Sequence, residues 1–82
     1  MLDELLSSNK VIGRKQTLKA IKEGKAKKVY VALDADKKVI DPVLEECYNS
    51  KIEIEKVDNM KTLANAVNVD VKTAFAAILN DI

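Results

Sequence analysis

The sequence has no histidine, no tryptophan and a single cysteine, Cys47, among its 82 residues. One cysteine excludes an internal disulfide framework and any zinc site built on several cysteines. The lack of histidine removes the commonest metal ligand and general base. Many classes of enzyme are thereby excluded, and we expect neither a bound metal nor a cofactor.

Long apolar runs, proline and glycine are also scarce. No apolar run approaches the roughly 18 residues that a membrane span needs, and the opening Met1-Leu2-Asp3-Glu4 is acidic where a signal peptide would be basic. One proline and two glycines leave no linker or repeat visible. With 48% hydrophobic and 33% charged residues, the chain is predicted to be one cytoplasmic domain over residues 1–82 and a monomer.

Positive charge is concentrated in one segment of a nearly neutral chain. Between Lys10 and Lys28 there are eight basic residues and one acidic residue, Glu23, so this segment carries +7 and the rest of the chain −6. A block of this kind is typical of proteins with a phosphate-rich partner. An exposed lysine-rich helix face without any partner is the alternative interpretation.

Apolar periodicity predicts four helices. The first is a short amphipathic helix that includes Leu2, Leu5 and Leu6, and the second covers residues 14–23 and is closed by Gly24. For the third, we expect Asp41 as the N-cap, Pro42 in the first helical position, and an inner face of Val43, Leu44, Cys47 and Tyr48. The fourth begins after Asp58 or Asn59 and buries Met60, Leu63, Ala64 and Val67.

Strands are predicted between these helices. Residues 29–33 form an apolar run suited to a central strand, and residues 52–57 alternate as in a half-exposed strand near an edge. Residues 71–79 are ambiguous, because their alanines favour a helix by propensity whereas the alternation of helices and strands requires a sheet strand there. The pattern as a whole predicts a three-layer α/β sandwich.

Two segments are candidates for chemistry. At the predicted helix start after Gly13, backbone N–H groups and the positive end of the helix dipole favour an anion, and Arg14 adds mobile positive charge. Lys15 and Lys19 can donate hydrogen bonds to guanine O6 and N7, and the Gln16 amide can bind base edges.

The second segment, Asp34-Ala35-Asp36, follows a predicted strand and resembles the nucleophile motif of haloacid-dehalogenase-type phosphotransferases, which bind Mg²⁺. Lys38 stands where that family has threonine, and its other loops need a much longer chain. We therefore interpret the pair chiefly as a turn and capping segment. Cys47 is predicted to be a small buried hydrophobe, and Tyr30, Tyr48 and Phe75 are predicted to belong to the core, which weakens the case for a stacking platform.

Three stretches taken together resemble a known family. They are residues 13–27, which begin Gly-Arg-Lys-Gln-Thr-Leu-Lys, the strand 29–33 with Asp34, and residues 63–71. These resemble the kink-turn-binding ribosomal proteins called L-seven-Ae, which are related to L-thirty-e, and the chain is similar to a short bacterial member. The resemblance implies an α/β/α sandwich with a mixed four-stranded sheet, in which the ambiguous final segment is a strand.

The resemblance also implies a mechanism. Kink-turns are RNA helices bent sharply at a short bulge flanked by sheared G·A pairs, and the family inserts the helix after its motif glycine into the widened groove. Lys19 matches the family's lysine, whereas Lys15 and Gln16 replace Asn and Glu of the archaeal pattern. A second element, the loop at residues 67–70, shelters the bulged nucleotides, and Asn68 replaces a family glycine there.

The sequence therefore predicts an RNA-binding protein, and two other interpretations stay open. They are a small Mg²⁺-dependent phosphatase using Asp34 and Asp36, and a protein-interaction module that docks through the basic helix. The natural RNA is equally open among ribosomal RNA, a riboswitch leader and another noncoding RNA. Lys28 is expected to contact phosphate without reading sequence. The predicted RNA-binding residues are Gly13, Arg14, Lys15, Gln16, Lys19, Lys22, Asp34, Val67, Asn68, Val69 and Asp70.

Overall fold

The computed structural model describes residues 9–67 and 72–80. The predicted opening helix with Leu2, Leu5 and Leu6 lies outside these residues. The elements in chain order are β1 (Lys10–Ile12), α1 (Arg14–Lys22), β2 (Ala26–Ala32), α2 (Lys37–Asn49), β3 (Glu53–Val57), α3 (Met60–Ala66) and β4 (Phe75–Leu79). Within the described ranges, no helix is both long enough and apolar enough to cross a membrane.

The four strands form one mixed sheet in the order β1-β4-β2-β3. The strands β2 and β3 are parallel, whereas β4 is antiparallel to both β1 and β2. The predicted α/β class with a mixed four-stranded sheet is confirmed, and so is the expectation that the last apolar run is a strand. That run looks like a helix in the sequence because β4 is an inner strand, and Phe75 to Ile78 are all buried.

Helices cover both faces of the sheet. On one face, Val29, Val31 and Phe75 pack with residues of α1 and α2, among them Ile21 and Val43. On the other face, Tyr30 and Ile78 pack with Leu63 and Val67, at and just after α3. Side chains therefore alternate between two apolar layers along β2, and this explains why the strand is apolar on both faces.

The start of α2 differs from the prediction. The helix begins at Lys37, and Asp36 is its N-cap, with its Oδ1 accepting a hydrogen bond from the Lys38 N–H at 2.9 Å. Pro42 lies inside the helix and donates no hydrogen bond to the preceding turn. The predicted start at Asp41-Pro42 was therefore wrong. Ile40 explains the longer helix, because this apolar residue before the proline is buried in the core.

The outer face of α2 corrects a second prediction. Val43 and Cys47 are fully buried, but the Tyr48 residue is 66% exposed. One residue advances a helix by about 100°, so Tyr48 turns away from the face that carries Cys47. The predicted core position of Tyr48 was wrong, whereas Tyr30 and Phe75 are fully buried as expected.

A buried hydroxyl on α1 gives a test of core packing. The Thr17 Oγ1 is buried, and it has no hydrogen-bond partner in the part of the chain that the structure describes. Replacing Thr17 by valine should raise the free energy of unfolding by about 1 kcal/mol, because the desolvated hydroxyl is replaced by a methyl group. Chemical denaturation of the variant measures this effect. The matched control is Thr62→Val at an exposed site of α3, where we expect little change; a destabilised Thr17→Val protein would contradict the prediction.

Candidate nucleic-acid interface

The start of α1 is held by a glycine in a conformation that other residues rarely adopt. Gly13 has φ 96° and ψ 162°, a region that is essentially restricted to glycine. Its N–H donates to the Phe75 carbonyl at 2.9 Å, and its own carbonyl accepts from the Thr17 N–H at 3.0 Å. Among the residues that the structure describes, no side chain caps the helix, and its first turn holds no acidic residue. The positive end of α1 is therefore open to an anion.

Exposed cations follow this glycine along α1. Arg14, Lys15, Gln16, Lys19 and Lys22 are all exposed. Within residues 9–67 and 72–80, none of the four basic side chains takes part in an ion pair. Unpaired cations on a helix surface are available to phosphate or to base edges without breaking an existing contact.

The predicted helix residues are not all close together. Arg14, Lys15 and Gln16 lie in the first turn beside Gly13, and Lys19 lies about one turn further on. Lys22 is at the far end of α1, about 12 Å from Arg14 along the axis at 1.5 Å per residue. A ligand held at Gly13 that also reaches Lys22 must extend along the whole helix.

Lys28 corrects the prediction made from the basic block. Its side chain is only 9% exposed, and its Nζ lies 3.2 Å from Glu53 Oε2 and 3.1 Å from Glu55 Oε1. The same Nζ lies 5.1 Å from the centroid of the Tyr30 ring. The expected phosphate contact was therefore wrong, because this lysine is buried and paired within the fold. Lys25, also in the block, lies 3.5 Å from Glu23.

The two aspartates after β2 act as hydrogen-bond acceptors for helix starts. Asp34 Oδ1 accepts from the Met60 N–H at 2.8 Å, which ties the turn after β2 to the beginning of α3. Asp36 caps α2, as described above. The interpretation of Asp34-Ala35-Asp36 as a turn and capping segment is confirmed. Among the residues described, no group of three His, Cys, Asp or Glu side chains is placed to hold a metal ion.

Cys47 is buried, as predicted. Burial, together with the neighbouring charge of Glu46, raises the pKa of this thiol from 9.0 to about 11. The thiol is therefore protonated at neutral pH, and the reactive thiolate form is essentially absent.

Of the second predicted RNA-binding element, residues 67–70, the structure describes only Val67. Val67 is buried, with 4% of its surface exposed, and it packs in the core on the α3 side of the sheet. Asn68, Val69 and Asp70 lie outside the described residues. The described residues resume at Lys72, and β4 begins at Phe75, whose carbonyl accepts a hydrogen bond from the Gly13 N–H. The end of this segment and the start of α1 therefore meet at one edge of the sheet.

Comparison with known proteins identifies the family of the chain. The model of the ribosomal protein L7Ae/L30e/S12e/Gadd45 family matches residues 3–81. The chain belongs to this family. The chain is 44% identical to an RNA-binding protein of Geobacillus sp. (strain WCH70) over 78 residues, which cover 94% of this chain and 95% of that protein. It is 42% identical to the RNA-binding protein YbxF of Geobacillus stearothermophilus over 78 residues, with the same coverage of both chains.

Solved structures of this fold include a 15.5 kD RNA-binding protein from Giardia lamblia, with a TM-score of 0.86 and 25% identity over 98% of this chain and 68% of that one. A Bacillus halodurans protein of unknown function has a TM-score of 0.86 and 20% identity over 96% of this chain and 83% of the other. The chain therefore has the sequence pattern of the L7Ae/L30e/S12e/Gadd45 family and the fold of these solved structures. The two Geobacillus relatives are named as RNA-binding proteins.

Two exposed residues close in sequence to the strand ends at this edge of the sheet have no distinguishing signal in the sequence. Lys72 is exposed and directly precedes the segment that leads into β4. Leu33 is 52% exposed and follows β2, where its N–H donates to the Val57 carbonyl at the same edge of the sheet. Lys72 lies outside the basic block, so the charge count gave no reason to select it. Leu33 looked like the end of a buried strand.

Proposed function

We propose that the protein binds kink-turn RNA through the start of α1 and stabilises the bent form of the RNA. One observation carries the proposal. The helix α1 begins at Gly13, and no described residue caps it with a side chain. It presents exposed Arg14, Lys15, Gln16 and Lys19 at the sheet edge where the segment before β4 ends. Membership of the L7Ae/L30e/S12e/Gadd45 family and relatives named as RNA-binding proteins support an RNA partner.

The chemistry of α1 suits a groove lined by phosphates and guanine edges. The backbone N–H groups of the first turn and the helix dipole attract a phosphate oxygen. Lys15 and Lys19 donate to O6 and N7 of guanines, and the Gln16 amide both donates and accepts at a base edge. Lys22, at the far end of α1, contacts the backbone of the stem beyond the kink.

No chemical step is needed for this function. A kink-turn RNA exchanges between extended and bent forms, and a protein that binds the bent form more tightly shifts the population toward it. The size of the shift is limited by the difference between the two affinities. In our proposal, one monomer binds one kink in the cytoplasm.

The test is a titration of the protein with two labelled RNAs. One contains a kink-turn, and in the other the G·A pairs are changed to Watson–Crick pairs. At about 150 mM salt, nonspecific binding to phosphate has a Kd of about 10⁻⁴ to 10⁻⁶ M. We expect binding much tighter than this for the kink-turn RNA alone. Equally weak binding of both RNAs would overturn the proposal.

A further inference from the structure

We propose that Thr73 is a positioning residue for RNA recognition, because its hydroxyl holds the segment before β4 against the start of α1. The Thr73 Oγ1 donates to the Phe75 carbonyl at 2.9 Å, and the Thr73 residue is only 7% exposed. The same carbonyl accepts the Gly13 N–H at 2.9 Å. One buried oxygen thus joins the helix that carries the predicted base readers to the segment that follows the predicted loop.

A third hydrogen bond completes this junction. The Ala32 N–H, at the end of β2, donates to the Ala74 carbonyl at 2.9 Å. Residues 73–75 are therefore tied to the last residue of β2 and to the glycine that starts α1. The exposed Lys72 directly precedes this junction. The positions of Lys72 and of the α1 cations relative to one another then depend on how firmly residues 73–75 are held.

The fold itself has little need of the Thr73 hydroxyl. The Phe75 side chain is fully buried, and β4 is paired on both sides along its length. Without the hydroxyl, the Phe75 carbonyl still accepts from Gly13, so no buried acceptor is left without a donor. Valine has the same branched shape as threonine and is favoured in buried β structure. The hydroxyl instead restricts the local conformation of residues 73–75.

This restriction matters for a bent RNA and not for an extended one. A kink-turn presents its stems at a defined angle, so contacts on both sides of the junction must fit at the same time. If only a fraction of the molecules holds residues 72–75 in the position that binds RNA, the apparent affinity is the intrinsic affinity multiplied by that fraction. Nonspecific binding depends on the phosphate charge and is unaffected by the loss. Thr73 is therefore expected to support selectivity for the kink; this inference rests on the proposed function.

The test compares Thr73→Val, which removes the hydroxyl, with Thr73→Ser, which keeps it. Each variant is titrated at about 150 mM salt with the kink-turn RNA and with the Watson–Crick control RNA, and thermal unfolding is recorded for each. If valine leaves about a tenth of the molecules competent, Thr73→Val binds the kink-turn about tenfold more weakly. We expect unchanged binding of the control RNA, an almost unchanged Tm, and wild-type binding by Thr73→Ser.

Three results would overturn the inference. The first is wild-type affinity of Thr73→Val for the kink-turn RNA. The second is an equal loss of affinity of Thr73→Val for both RNAs, and the third is a loss in Thr73→Ser as large as that in Thr73→Val. The wild-type protein separates this inference from the proposed function. If the wild type fails to distinguish the two RNAs, the proposed function itself fails; if it distinguishes them and Thr73→Val behaves the same way, only the role of Thr73 fails.

Discussion

Replacing Lys19 by alanine should weaken binding to a kink-turn RNA by about 1 to 3 kcal/mol, which is a loss of roughly fivefold to 150-fold. Lys19 is exposed on α1, one turn beyond the helix start, and has no ion-pair partner in the part of the chain that the structure describes. Its loss removes a donor to guanine O6 and N7, so the effect should be confined to the kink-turn RNA. Titration of both RNAs measures it.

The matched control for Lys19 is Lys27, and not Lys28. Lys27 belongs to the same basic block and is exposed, but it lies at the beginning of β2, at the sheet edge opposite Gly13. Lys27→Ala should cause only a small loss that is the same for both RNAs, because it removes one distant positive charge. Equal losses for Lys19→Ala and Lys27→Ala on both RNAs would remove the base-reading role from Lys19.

Replacing Lys28 by alanine should lower the free energy of unfolding by about 2 to 3 kcal/mol. A domain of this size has a total stability of about 4 to 12 kcal/mol, so the loss is a large fraction of it. Without Lys28, the negative charges of Glu53 and Glu55 on β3 repel each other. The aliphatic part of the lysine side chain, which packs beside Tyr30, is also lost. The effect is smaller than for a fully enclosed pair, because the Glu53 side chain is 70% exposed to water.

Chemical denaturation at neutral pH measures this loss, and Lys27→Ala is again the control. Lys27 is next in sequence but exposed, so its replacement should change stability by less than about 0.5 kcal/mol. If the two variants are equally stable, the ion pairs of Lys28 contribute nothing to the fold.

The same cluster should make stability sensitive to acid. Burial alone would raise the pKa of Glu55, but hydrogen bonds and charges from positively charged groups, Lys28 among them, outweigh it and lower this pKa from its ordinary value of 4.5. The resulting stabilisation is complete above the pKa of the unfolded chain and is lost as the pH falls through the lower pKa of the folded protein. Below pH 4.5 the wild type should therefore lose stability more steeply than Lys28→Met.

Much of the architecture is determined by the sequence at short range. Gly24 adopts φ 71° just after α1 and ends the helix as predicted, because glycine meets little steric hindrance in this region. Asn59 accepts from the Thr62 N–H at 2.7 Å and caps α3, one of the two caps that its sequence allowed. The apolar run of β2, the alternating residues of β3 and the exposed lysine row of α1 also lie where periodicity predicted them.

What only the tertiary structure decided depends on contacts between residues distant in sequence. A count of charges treats Lys28 like Lys19, but the parallel pairing of β2 with β3 places Lys28 beside Glu53 and Glu55. In the same way, the sequence leaves Asp34 as a possible ligand or nucleophile, whereas in the structure its carboxylate accepts a hydrogen bond from the Met60 N–H at the start of α3.

The last strand shows the same limit most clearly. Local propensity favours a helix for an alanine-rich run, because helix propensity reflects only the interaction of a residue with its own local backbone. The sheet supplies partners on both sides of β4 and apolar layers on both faces, and these gains exceed the small helical preference. Sequence by itself therefore determined the end of α1, the cap and buried face of α3, and the family pattern at the start of α1. Only the tertiary structure decided which charges face solvent and which neutralise one another inside the fold, because that depends on the register between strands.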